Sequence, residues 1–507
     1  MENLTYRQAS RFLDMATMGI KDGEIESLLN IDDRTAWIDD QISQAYTSHE
    51  NQTLYQMQQR GESQPSQEMR VCAWFDIALS SSAQLRQKVA FALSQIVVVN
   101  DRDSQLSPYP VELAHYYDLL AEHAFGNYRT LLYHVTRSPI MGHFLTMAGN
   151  LPRSITGVDP DQNYAREIMQ LFSIGLEVLN IDGSPQLDDN GQAIPTYDDD
   201  TIRNVARIFT GWFLDNNGAN GVMYDAMVAD DEYHDLDEKV VFNEIFPAGI
   251  GAEDELNHFL DLLMAHPSTA PNISQLLIKR LVTSNPTSAY IARVASVFNH
   301  TNGDLAAVVK AILTDSEVLK ENSNQVAKVR EPILAMTYVY RALNAYPGQN
   351  SDIIYNSMQY QSTFNQYPLG APSVFNFFSP THSPEGPLQE AGLAAPELEL
   401  IDWNQAIKFA DIAYKLVWTN GQHRSKSNTK LEMYVNTSDL ETLANNDDFA
   451  GIVNLLKNRF LHGQMSEPLT AHLQKIYDVH ATPVYSIPKL LFFVIISPDF
   501  MIQESVS

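Results

Sequence analysis

Along most of the chain, apolar positions recur every three or four residues. "RQASRFLDMATMGI", "DGEIESLLNI", "TAWIDDQISQAY" and "SAQLRQKVAFALSQIVVV" each carry one apolar stripe, with Asp, Ser or Thr near several starts. "PVELAHYYDLLAEHAF" and "YRTLLYHVTRSPIMGHFL" continue the pattern to about residue 148. The character then changes. "LNIDGSPQLDDNGQAIPTY" sets Asp-Gly and Asn-Gly turns between short apolar pieces, which predicts a β-hairpin, and 215–252 reads as long loops with short strands. Helical spacing resumes through "DELNHFLDLLMAH", "NISQLLIKRLV", "AYIARVASVF", "LAAVVKAIL" and "EPILAMTYVYRAL". Residues 347–395 are rich in Pro, Gly, Ser and Asn around the aromatic run "SVFNFFSP", and a last set of helices closes the chain.

The pattern predicts a mainly α fold: a large multi-helix globular protein with a small β-hairpin insertion and long irregular loops. The divisions are an N-terminal helical part (1–150), a central helical part with a β-rich insertion near 177–252 (151–345), and a C-terminal part (346–507). The last holds the long aromatic loop, and all three are expected to pack as one compact unit. Loops of that length inside a compact protein are more often functional than filler.

One helix has a face unsuited to simple packing. In "DPDQNYAREIMQLFSIG", Asp159 is placed to cap, Pro160 fits the first helical position, and Gln162 sits where a capping-box partner belongs. Tyr164, Ile168, Leu171, Phe172 and Gly175 mark a buried stripe. Beside it, Asn163, Glu167 and Gln170 share one face at i, i+4, i+7, with Arg166 adjacent. In a cleft, Glu167 would serve as general acid, general base or metal ligand, with Arg166 holding a substrate oxygen. Paired with a local arginine, it would be structural.

Composition narrows the function classes. The 507 residues carry 33 Lys plus Arg against 62 Asp plus Glu, a formal charge of −29, which argues against nucleic acid and anionic lipid as partners. Cys72 is the single cysteine, so no intrachain disulfide or multi-thiolate metal site can form, and its apolar surroundings predict a buried inert thiol. No window is apolar for the roughly 18 residues of a membrane span. The N-terminus reads as an amphipathic helix rather than a signal peptide.

The phosphate loop, the HExxH zinc helix, the GxSxG elbow and the dinucleotide glycine run are all absent. "DDNG" is a turn, because Gln186 stands where a calcium loop needs its first ligand. Two further polar groupings remain. "DDEYHDLDEKVVF" places His234 beside Asp235, with Lys239 five residues on, as a base or ligand with its carboxylate, or else as a solvated charge run. In "DDTIRNVARIFTGWF", Ile202, Val205, Phe209 and Trp212 form a buried face, while Arg203 and Arg207 are available to counter Glu167. The loop "QYPLGAPSVFNFFSP" adds aromatics around Asn376, suited to stacking on sugars or to anchoring the loop in the core.

Taken in order, "NYAREIMQLFSIG", "TYDDDTIRNVARIFTGW", "HDLDEK" and "HPSTAPNISQLLIKRLVTSNPTSAYIARVASVF" resemble the bacterial family catalogued as domain of unknown function 1800. The resemblance extends through "ASRFLDMATMGI", "KVREPILAM", "PSVFNFFSP" and "IISPDFMIQ", from about Arg11 to Gln503. The family's motif positions fall on Asn163, Arg166, Glu167, Gly211, Trp212, His234, Asp235 and Lys239. The resemblance implies no established activity. It does imply a protein working outside the cytoplasm, since members usually carry a secretion signal, and they often neighbour a sulfatase-like secreted protein. One departure stands out. Many members have a histidine-containing "WHNHF"-like segment where this chain has "FALSQIVVV", Phe91 to Val99.

The resulting expectation is a secreted, hydrolase-like protein acting on an extracellular polymer such as a polysaccharide. Glu167, His234 and Asp235 are its catalytic group, and Asn163, Arg166, Lys239, Trp212 and Asn376 its substrate contacts. The alternative is a non-catalytic binding or assembly partner of the sulfatase-like protein. A metal variant would use His234, Asp235 and Glu167 as ligands, and the sequence names neither metal nor cofactor.

Overall fold

A computed structural model of the chain describes residues 4–216, 218, 221, 223–319, 328–347, 364–418 and 433–503. Of the expected 347–395 loop, residues 348–363 lie outside the described residues.

The fold is built from amphipathic helices whose apolar stripes meet. The first, Tyr6–Ala16, starts with a capping box in which the Thr5 side chain accepts from the Gln8 amide and the Gln8 side chain accepts from the Thr5 amide. Its Phe12, Leu13 and Ala16 are buried. They join a hydrophobic core that runs through helices from every part of the chain, from Ala9 to Phe500. The chain ends are tied together: Val329 bridges Ile502, the Arg330 amide donates to the Met501 carbonyl, and Tyr6 Oη donates to the Asn458 carbonyl. Cys72 lies buried in the helix Gln67–Ser80. Among the described residues no helix is long and apolar enough to cross a membrane.

The β content is small. The expected hairpin insertion forms as a bridged meander, with Glu177 against Pro195, Leu179 against Pro185 and Leu187 against Ala193. Gly183 and Gly191 turn it at φ +79° and +76°, as the Asp-Gly and Asn-Gly pairs predict. Two-stranded pairs join Trp212–Phe213 to Val228–Ala229, Lys239–Val241 to Glu244–Phe246, and Tyr346–Pro347 to Met433–Tyr434. The second is a tight hairpin whose turn, Phe242–Asn243, has φ +52° and +64°. One helix face stays uncovered by described residues. Along Trp403–Trp418, Trp403 is 89% exposed, with Ile407, Tyr414 and Trp418 also exposed.

Candidate functional site

The motif helix spans Asn163–Gln170, later than the sequence pattern predicts. Asp159 and Pro160 lie before it: Asp159 pairs with Arg153 at 2.9 Å, and the Asp161 carboxylate receives the Asn163 amide at 2.8 Å. The buried stripe is as expected at Tyr164, Ile168 and Phe172, and Tyr164 Oη shares a 2.7 Å hydrogen bond with Thr136 Oγ1. Gly175, at φ +75°, ends the segment.

The polar face divides rather than converging. Asn163 is exposed and donates to Thr146 Oγ1 at 3.1 Å. Arg166 is exposed. Glu167 is 8% exposed, and its buried Oε2 has no hydrogen-bond partner among the described residues. Burial pushes its pKa up, against the opposing pull of Arg166. Gln170 Oε1 accepts from Tyr197 Oη at 3.4 Å. Arg203 and Arg207 do not counter Glu167, because they are committed to Asp200 and Asp235. Gln162 lines a polar cleft of about 750 Å³ with Tyr197, Asp198 and Arg203, and Gln170 lines a second of about 780 Å³. One cleft thus lies just before the start of the helix and the other at its end.

His234, Asp235 and Lys239 build something else. His234 Nδ1 lies 2.8 Å from the Thr210 carbonyl, which it faces as donor, and Nε2 lies 3.1 Å from Glu255 Oε2. Lys239 Nζ donates to Glu255 Oε1 at 2.7 Å and to the Asp235 carbonyl. Arg207 grips both Asp235 oxygens at 2.8 and 2.9 Å. The side chains of His234, Lys239 and Glu255 are fully buried. Burial lowers the Lys239 pKa, while Glu255 favours the charged form, and the Arg207 fork holds Asp235 below its ordinary value against the opposing effect of burial.

Gly211 completes this clasp, since at φ +78° a Cβ there would sit 2.7 Å from the Asp230 carbonyl oxygen. A general base must reach a substrate proton, and a sealed imidazole cannot. The structure therefore does not bring Glu167, His234 and Asp235 into one open site. Lys239 is not placed to touch a substrate either. Trp212 is likewise fully buried, with the Arg137 guanidinium 5.8 Å from its ring, so it serves the core. Among the described residues no group of three or more His, Cys, Asp or Glu is arranged to hold a metal ion.

Asn376 stands at the second cleft, and here a site assembles. The aromatic loop is held at its base: Arg70 pairs with Asp101 at 2.7 Å and donates to the Pro368 carbonyl at 3.0 Å, and Tyr367 Oη donates to Asp101 at 2.7 Å. Above that base Asn376 takes φ +70°, in the left-handed region that asparagine tolerates. Its Nδ2 donates to Gln95 Oε1 at 3.3 Å, and its buried Oδ1 has no partner among the described residues. Gln95 Nε2 in turn donates to Glu331 Oε2 at 2.9 Å, an oxygen shared with Gln366 Nε2. Phe375, its neighbour in the loop, lines the same cleft and is 59% exposed. Opposite the loop are Asn272, Gln275 and Arg280 of the helix Thr269–Leu281, and Glu177 and Glu399 also line the cleft.

The sequence reading found Asn376 and the aromatic run but missed Gln95, Arg280 and Glu255. Gln95 lies in Phe91–Val99, the segment that departs from the family pattern. Arg280 and Glu255 occupy ordinary positions of amphipathic helices, and only tertiary packing gives them partners.

The family model described as protein of unknown function (DUF1800) matches residues 11–502. No curated protein and no solved structure matches the chain.

Proposed function

The chain belongs to the DUF1800 family, whose description assigns no activity, and from that premise we propose that it binds a carbohydrate polymer outside the cytoplasm, in the cleft beneath the aromatic loop. One observation carries the reading: the exposed ring of Phe375 lines a largely apolar cleft that also carries five side-chain amides. A sugar has an apolar C–H face and a rim of hydroxyls. An exposed ring suits the face, and Gln95, Gln170, Asn272, Gln275 and Asn376 suit the rim. The extracytoplasmic setting rests on the family resemblance.

The test is affinity electrophoresis through gels containing individual polysaccharides. The wild-type protein should be retarded by at least one of them, and Phe375→Ala should weaken that retention by about tenfold, roughly 1.4 kcal/mol. A panel that retards nothing, or a variant retained as well as wild type, would sink the reading.

A hydrolytic reading is favoured by one fact: Glu177 and Glu399 line the same cleft, and glycoside hydrolysis uses two carboxyls. It requires release of reducing ends from the bound polymer, abolished by Glu177→Gln or Glu399→Gln. Binding without release leaves the chain a carbohydrate-binding protein.

A further inference from the structure

Arg280 is buried at 7% exposure and lines the cleft. Its guanidinium lies 4.7 Å over the ring of Phe378, which fixes its plane. Its Nε is buried and has no hydrogen-bond partner among the described residues. Three other buried guanidiniums meet a carboxylate directly: Arg70 has Asp101, Arg330 has Asp14 and Arg341 has Glu24.

The carboxylates near Arg280 act on it through their charge and accept their hydrogen bonds from other groups. Glu331 Oε2 accepts from Gln95 and Gln366. Glu397 holds Lys328 at 3.0 Å and Ser284 at 3.3 Å, and Glu399 accepts the Ser379 amide at 2.8 Å. Burial pulls the Arg280 pKa down, opposed by Glu331 and Glu397, yet a guanidinium stays charged at any ordinary pH. A desolvated cation with an idle donor is costly unless an anion completes it.

Building on the carbohydrate reading, we infer that Arg280 receives an oxyanion, a carboxylate or a sulfate ester, carried by the bound sugar, so that the polymer is an acidic one. The planar fork of arginine matches two oxygens of either group. The amides of Gln275 and Asn272, which line the same cleft, serve the neighbouring hydroxyls, and Phe375 covers the ring face. The chain's charge of −29 repels a dense polyanion at long range. A single buried cation therefore selects sparse charge, one anionic group per bound segment.

The experiment is calorimetric titration of the whole protein with three oligosaccharides of equal length: a neutral hexose oligomer, one bearing hexuronate carboxylates and one bearing sulfate esters. Wild type should bind at least one acidic oligomer about tenfold or more tighter than the neutral one, and the tighter acidic ligand identifies the anion. Arg280→Gln should erase that preference while leaving neutral binding, and Arg280→Lys should restore part of it. Equal affinity of wild type for neutral and acidic oligomers overturns the inference, and this comparison needs no variant to fold. A full acidic preference in Arg280→Gln overturns it as well. Neutral binding that is lost in Phe375→Ala but shows no acidic preference keeps the cleft and removes the anion. No binding of any oligomer removes both.

Discussion

His234 and Glu255 meet at 3.1 Å, Nε2 to Oε2, with both side chains closed to solvent. Their residues are 21 positions apart, one in an irregular acidic loop and the other in the first turns of the helix Ala252–Ala265. Lys239 closes on the other oxygen of the same carboxylate. The most distinctive histidine of the sequence is thus the centre of a clasp that fastens the 230–255 segment to the helical body.

Breaking a buried ion pair from one side strands the other charge. Glu255→Gln strips the buried Lys239 ammonium of its carboxylate and should cost roughly 3–5 kcal/mol of stability, whereas His234→Ala leaves Glu255 paired with Lys239 and should cost about 1–3 kcal/mol for the lost hydrogen bond. Chemical denaturation measures this directly. The molecules that remain folded should bind polysaccharide as wild type does. A variant of unchanged stability but lost binding would return His234 to the functional site.

Gly211→Ala tests the same clasp through the backbone. The position combines φ +78° with a Cβ placed 2.7 Å from the Asp230 oxygen. The left-handed strain alone costs on the order of 1–3 kcal/mol, and the close approach adds to it. A melting temperature equal to that of wild type would contradict this geometry.

Glu167 makes a prediction whose sign depends on pH. Burial raises its folded pKa above the ordinary carboxylate value. Between about pH 4 and that raised value the folded chain holds a proton the unfolded chain has released, so stability falls as pH rises through the window. Glu167→Gln removes the ionisation. Its stability relative to wild type should therefore increase from about pH 4 toward neutral pH. An equal difference at both ends would mean that the carboxyl is not held protonated by burial.

Much of this architecture can be read in the sequence, for reasons specific to each element. Tyr164, Ile168 and Phe172 follow the helical repeat because one face packs on the core, and the Asp-Gly and Asn-Gly turns follow the backbone freedom of glycine. The motif helix starts later than the Asp-Pro pair suggests, because Asp159 is drawn to Arg153 and the helix begins at Asn163 after Gln162 with no side-chain cap. The Phe242–Asn243 hairpin escaped because phenylalanine seldom takes a positive φ. The site was the least legible part. Arg280 follows Lys279 at a helix end, where basic residues ordinarily answer the helix dipole, and nothing local tells a buried arginine from an exposed one.

Ionic strength separates a built cleft from a charged surface. The Debye length falls from about 30 Å at 0.01 M salt to about 8 Å at 0.15 M. In a chain of charge −29 this relieves long-range repulsion while leaving a buried contact at Arg280 largely unscreened. Affinity for an acidic oligosaccharide should therefore hold or rise over that range. A steep fall would point to loose surface attraction instead.

The central claim is that ligand sits under the aromatic loop, and hydrogen–deuterium exchange with and without a bound oligosaccharide tests it most directly. Bound oligosaccharide should slow exchange at 170–179, 272–280 and 372–380 and leave the clasp at 230–255 unchanged. Protection confined to the exposed helix Trp403–Trp418, or to the clasp, would contradict it.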